Sequence, residues 1–420
     1  MSDSSQPQPK NPDGGSGQAS GAARSDGSSL VLCGARLADG RTVDVTLGHG
    51  RIEAVGTAGS LASRGARVDL AGYLLLPAPA EPHAHCDTAL TAGDDSPGTS
   101  LAEVRRRTTE AALLHLGHGA TAVRSHVRIG DVTGLLSLQA VIQARRSLHG
   151  LVDLTPVAVP RLLTGSAGAE GLALLRDAVE MGASVVGGCP DLDPDPIGYV
   201  EAVLQVAAEH GCAVDLHTDA ADPVRLTRIA AMAGGLRPGV ALGPGGGLAR
   251  LPEAVAGRTA EQLAAAGITV VCLPQGDCSG LEGGARPARS APVRLLRAAG
   301  VRVAAGSGAL RDAANPVGRG DPLEAAYLLA SLGEASPEEA FGMVCSQARA
   351  AMGLPEVRVE AGFPAELLAV RGDRLSSALS LAYSRVVVHQ GRVVARTSAV
   401  REYCDSATTA ALDLPRQSQR

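Results

Sequence analysis

Residues 74–90 read LLLPAPAEPHAHCDTAL. A short apolar run bounded by turn-forming residues is the signature of a strand buried on both faces, the kind used by parallel sheets. It leads through a proline-rich approach into His83-Ala84-His85. In extended backbone, residues two apart point the same way. Two imidazoles on one side make a chelate whose neutral nitrogens suit zinc or iron. Two neighbouring histidines also occur by chance on surfaces, so the pair decides nothing alone.

Moving outward, eight short β-rich runs alternate with amphipathic stretches. They are Leu75–Pro79, Thr121–His126, Val152–Val159, Ser184–Gly187, Ala213–His217, Val240–Gly243, Ile268–Leu273 and Val301–Gly306. Their spacing is that of βα units. GLALLRDAVEMG, YVEAVLQVAAEHG and AEQLAAAG read as helices closed by glycine. Eight such units imply an α/β fold, a (β/α)8 TIM-type barrel over residues 77–352. The alternative is an open doubly wound sheet. No Gly-x-Gly-x-x-Gly follows the first run, which weakens its dinucleotide-binding version.

The flanks behave differently. Residues 29–76 alternate short apolar runs with Asp39-Gly40 and His49-Gly50, which are hairpin signals. A similar pattern returns over residues 353–400. The two flanks together predict one small β-sandwich. Residues 1–28 and 401–420 are expected to be loose tails, because Ser, Gly, Gln and Pro cannot offset the entropy of ordering.

Composition excludes several classes. The chain has 420 residues but only 2 Phe, 5 Tyr and no Trp, so base stacking on aromatic platforms is an unlikely design for it. The net charge of −5 argues against a grip on nucleic-acid phosphates. No apolar run approaches the roughly 18 residues of a membrane span. The N-terminus has no signal-peptide pattern. The 8 cysteines form no Cys-x-x-Cys pair and read as small buried hydrophobes. A cytoplasmic protein is therefore expected. Lys10 is the only lysine, so no folded-region lysine can serve as Schiff base or carbamylated metal bridge.

In such a barrel, chemistry sits at the C-terminal ends of the strands. His217, ending the fifth run, converges there with His83 and His85, giving three candidate ligands for a divalent metal, zinc or iron. His126, Arg161, Cys189 and Asp191 lie at other strand ends and are the candidates for contacting a small-molecule ligand. His115, His118, His149 and His210 read as solvated helix residues, and His49 and His389 as turn residues.

The stretch around His83 resembles the first barrel strand of the amidohydrolase superfamily. Further segments resemble its cytosine-deaminase-like branch, in order: GATAVRSHVRIGD, VVGGCPDLDPDP, VDLHTDAADP, GSGALRDAANPVGRGDPLEAAYLLA, AELLAVRGD and VVVHQGRVVAR. The resemblance covers residues 30–400. It implies metal-assisted hydrolysis at C–N bonds of small cyclic compounds. A metal would be held by two histidines of strand one, one of strand five and an aspartate of strand eight. A glutamate three residues after the strand-five histidine, and a strand-six histidine, would handle protons and polarise the substrate. A glutamine after strand three would bind the ring's amide edge.

The match is partial. His83, His85 and His217 occupy the histidine ligand positions. The glutamate position is Ala220, the strand-six histidine is Pro244, and the strand-eight aspartate is Gly308. The glutamine is Arg161, and an aromatic ring position is Ala314. Loss of one general acid or base typically costs about 10²–10⁴-fold in rate. The resemblance thus implies either a pseudoenzyme or a repurposed hydrolase. The pseudoenzyme would bind a ligand, self-associate or pair with an active relative. The repurposed hydrolase would use three histidines on a non-pyrimidine substrate, an anionic one if Arg161 pairs with it. A three-histidine set resembles carbonic-anhydrase-type zinc more than a deaminase site.

Overall fold

The computed structural model describes residues 29–61, 65–130, 134–276, 290–381 and 383–399. The expected tails, Lys10, Cys278 and Cys404 lie outside them. The amino-terminal flank supplies strands β1 (Leu30–Arg36), β2 (Thr42–Gly48), β3 (Arg51–Thr57), β4 (Ala66–Asp69) and β5 (Tyr73–Pro77). His49-Gly50 turns β2 into β3 with both residues at positive φ, 51° and 75°, as a two-residue hairpin requires.

The middle of the chain builds eight parallel strands, β6 (Ala80–Ala84), β7 (Ala122–Ile129), β8 (Asp153–Pro160), β9 (Val185–Gly188), β10 (Ala213–Thr218), β11 (Val240–Pro244), β12 (Thr269–Cys272) and β13 (Arg302–Ala305). They pair in sequence order, and a parallel bridge between Ala84 and Gly308 brings the last strand end back to the first. Helices cross between successive strands, including Gly168–Met181, Pro196–His210 and Glu253–Ala265. This is the (β/α)8 barrel.

The carboxyl-terminal flank returns as β14 (Leu367–Arg371), β15 (Arg385–His389) and β16 (Arg392–Thr397), and β14 pairs antiparallel with β5. Strands from both flanks thus form one eight-stranded sheet, ordered β16-β15-β14-β5-β1-β2-β3, with β4 on β1.

The first barrel strand is not Leu75–Pro79. That run belongs to β5 in the flanking sheet, and the barrel opens with Ala80–Ala84. Leu74 and Leu76 face the barrel's core and Leu75 faces the flank's own core. A strand buried on both faces reads as one continuous apolar run, and nothing in that run says which sheet it joins.

Two expectations for histidines also change. His115 is buried on the helix Leu101–Gly117 rather than solvated. His389 is the buried last residue of β15, and the turn is Gln390-Gly391, both at positive φ.

Candidate metal centre

Inside the barrel the period of two decides which side chains face the axis. On β7, Ala122 packs with inward alanines and valines of other strands, while Val123, Val127 and Ile129 pack outward against the helices. Arg124 and His126 therefore share the inward face with Ala122. On β10 the same rule pairs Asp215 with His217.

Four imidazoles meet at the strand ends. His83 lies 4.0 Å from His126, 5.0 Å from His217 and 5.3 Å from His85 between ring centroids. One ligand nitrogen from each of His83, His85 and His217 falls within 4.8 Å of the others. A second set with the same property is His83, His126 and Asp215.

Burial and the neighbouring imidazoles push His83 well below the ordinary histidine range, and burial with His126 and His217 does the same to His85. Both rings are neutral at pH 7, the form that ligates metal. Both ring nitrogens of His83 and Nε2 of His85 are buried with no hydrogen-bond partner among the described residues. Burying such atoms unpaired costs about 1–3 kcal/mol each. Converging, neutral and unpartnered nitrogens fit a divalent metal of the zinc or iron type.

Beneath them lies a charged floor. Arg124 Nη1 donates to Asp215 Oδ2 at 2.8 Å, and both side chains are buried. Asp215 Oδ1 lies 3.3 Å from His126 Nε2. Burial alone would raise Asp215, but His126 and Arg124 outweigh it and hold the carboxyl low. On β6, Glu81 accepts from the backbone N–H of His83 (3.0 Å) and of Ser307 (2.8 Å) and from the Ser307 hydroxyl. Burial pushes the Glu81 carboxyl up to about 7 despite these donors. Glu81 thereby stitches the first strand to the loop carrying Gly308.

The remaining sequence-predicted positions fall around this cluster. Pro244 pairs in register with Thr218, next to His217. Ala220 is buried at φ 59°, its N–H bonded to Thr218 Oγ1. Gly308 has φ 72°. None of the three offers a side-chain proton or ligand. Arg161 is exposed at the end of β8. Cys189 is buried at the end of β9, its N–H donating to the Tyr199 hydroxyl at 3.1 Å.

Asp191 has both oxygens engaged. Thr218 Oγ1 and the Asp219 N–H donate to one, at 2.8 and 2.9 Å, and Arg225 pairs with the other. It braces the loop after β10. Asp219, next to Ala220, is paired with Arg250. Asp312 accepts from Thr88 and from two backbone N–H groups, which fixes its own loop.

Sequence reading passed over Glu81, Arg124 and Asp215. Each stands two residues before a histidine of its own strand; Glu81 holds the His83 backbone, and Asp215, paired with Arg124, reaches across to His126. The rule that paired His83 with His85 reaches all three when extended one step down each strand.

The amidohydrolase family model matches residues 115–395. The chain belongs to this amidohydrolase family. It is 27% identical over 391 residues to the pterin deaminase of Rhizobium rhizogenes, covering 84% of this chain and 88% of that protein. Its fold is similar to that of the N-isopropylammelide isopropylaminohydrolase of Burkholderia multivorans, with a TM-score of 0.78 at 25% identity over 89% of this chain and all of that one. It is also similar to the 5-methylcytosine deaminase of Klebsiella pneumoniae, with a TM-score of 0.77 at 22% identity over 90% of this chain and all of that one. Among the described residues, no helix is long and apolar enough to cross a membrane.

Proposed function

We propose that this chain is a metal-binding amidohydrolase that takes small nitrogen heterocycles and has lost, or greatly weakened, the deamination its relatives' names describe. His83, His85 and His217 would hold the metal, with Arg124, Asp215 and His126 fixing the cluster from below. When bound, such a metal lowers the pKa of a water and makes hydroxide available near neutral pH. The observation that carries this reading is the pair of neutral rings of His83 and His85, whose unpartnered nitrogens converge with His217 beside Ala220, Pro244 and Gly308. The ligand set fits a metal, and the three positions beside it cannot move a proton or hold the fourth place.

The test is metal content of purified protein together with ammonia release from cytosine and pterin. About one zinc or iron per chain with negligible ammonia is expected. Ammonia release at enzymatic rates would sink the loss of chemistry. A metal-free chain from metal-supplemented growth would sink the metal site. Restoring Ala220→Glu, Pro244→His and Gly308→Asp together should recover measurable deamination, while single repairs do little, because such groups act as a unit. The first and third repairs both place a side chain on left-handed backbone, at φ 59° and 72°.

A further inference from the structure

Four arginines mark the rim above the imidazoles, and they divide into two kinds. Arg225 and Arg250 are paired with Asp191 and Asp219. Arg128 and Arg161 are exposed and have no hydrogen-bond or ion-pair partner among the described residues. Arg128 continues the inward row Ala122, Arg124, His126 of β7, one step above His126. Arg161 continues the row Val157, Val159 of β8, which packs inward with Val185 and Cys189. β7 and β8 run in register to Ile129 and Pro160, so the two guanidinium stems stand diagonally on neighbouring strands.

The backbone under Arg161 is held on both sides. The Tyr199 hydroxyl donates to the Pro160 carbonyl, and the Leu163 N–H donates to Asp193 at 2.9 Å.

Two like charges at neighbouring strand ends, neither in an ion pair among the described residues, repel unless an anion bridges them. Guanidinium groups match a carboxylate in shape as well as charge. We infer that Arg128 and Arg161 form a clamp for a carboxylate carried by the heterocycle, so that the ligand of this barrel is an anionic ring acid rather than a neutral base. The inference rests on the heterocycle reading above and names its substrate class.

The test is calorimetric titration of the full chain with orotate and with uracil, the same planar ring with and without one carboxylate. Orotate should bind about tenfold tighter than uracil or better, as one charge-assisted pairing commonly provides. Raising NaCl from about 50 to 500 mM should shrink the difference, because an exposed clamp is screened. In the Arg128→Met/Arg161→Met double variant the preference should fall below about threefold. Both positions are exposed, so folding should be little affected. Arg161→Lys should keep part of the preference.

Equal affinities, no binding of either compound, or a preference intact in the double variant overturns the clamp. The same titration on chelator-treated protein separates the two readings. A preference that survives without metal and vanishes in the double variant supports the clamp, even where metal analysis sinks the hydrolase reading. A preference that requires metal and survives in the double variant assigns the carboxylate to the three histidines and removes the clamp.

Discussion

Two regions of this molecule bury ionisable groups, and they treat them oppositely. At the seam between the flanking sheet and the barrel, charges are paired. Arg385 of β15 forks onto Asp321 with donor distances of 2.8 and 2.6 Å and also reaches the His118 carbonyl. Asp321 in turn caps the helix Pro322–Ser331 by accepting from the Leu323 N–H. Nearby, Glu366 binds His389 Nδ1 at 2.7 Å and the Gln390 N–H at 2.9 Å. At the barrel's rim, by contrast, His83 keeps two unpartnered nitrogens and His85 one. A buried polar group bonded within the fold stabilises the fold, whereas one held unbonded keeps binding capacity for something outside the chain. The contrast lies in convergence: at the rim the unpartnered nitrogens meet at one point, whereas the unpartnered nitrogens of His115 and His389 at the seam belong to no such group among the described residues.

The largest effect that could break this comparison is at His83. His83→Ala should lower metal affinity by at least about a hundredfold, since even supporting partners of metal ligands commonly matter by 10–100-fold. Metal analysis after dialysis checks it. In metal-free protein the same substitution should change stability by less than about 2 kcal/mol. The cavity it opens is offset by removal of nitrogens that were buried unpaired. A large loss of metal-free stability would mean that His83 is structural.

The seam should respond in the reverse sense. Asp321→Ala or Arg385→Met leaves a buried charge without its partner and should cost about 3–5 kcal/mol. Denaturant unfolding reads this directly, and metal content should not change. Replacing both together should cost less than the two single changes summed, because neither charge is then stranded.

Those seam residues also mark the limit of sequence reading. The barrel was legible because eight short β-rich runs recur at the size of a βα unit, and three ligand candidates were legible because barrel chemistry gathers at strand ends. The strand Tyr73–Pro77 was misassigned because its apolar run carries no label for its sheet. Asp321–Arg385 and Glu366–His389 join residues far apart in the chain, and no local pattern announces such pairs. His115 was read as solvated together with the other histidines in or beside helices. Only packing against Gly320, where a Cβ would come within 3.0 Å of the His115 ring, shows the burial.

His115 is the seam's exception and gives a pH test. Burial pushes it down to about 4 from the ordinary 6.5, with the charge of His118 adding to the effect. Between those values the unfolded chain binds the proton that the folded chain refuses. Stability is therefore full above about pH 6.5 and falls as pH drops toward 4, by about 3 kcal/mol from this residue. His83 and His85 add slope of the same sign in metal-free protein, so the readout is a difference. His115→Leu should flatten the stability profile by that amount, and an unchanged slope would place the acid sensitivity elsewhere.

The smallest effect sharpens the comparison at its boundary. Asp219 sits beside Ala220, where the resemblance would place a proton carrier, and is the carboxylate next to it in the chain. The structure gives it to Arg250 instead, with side-chain exposures of 21% and 28%. A partly exposed pair of this kind is worth about 1 kcal/mol or less and weakens with salt. Asp219→Asn should therefore shift the denaturant midpoint only slightly and leave unchanged whatever ammonia release the Pro244→His/Gly308→Asp variant, which keeps Ala220, shows. A collapse of that activity would make Asp219 the replacement proton carrier. The rim would then resemble the metal cluster, with groups held for chemistry, rather than the seam, with groups spent on the fold.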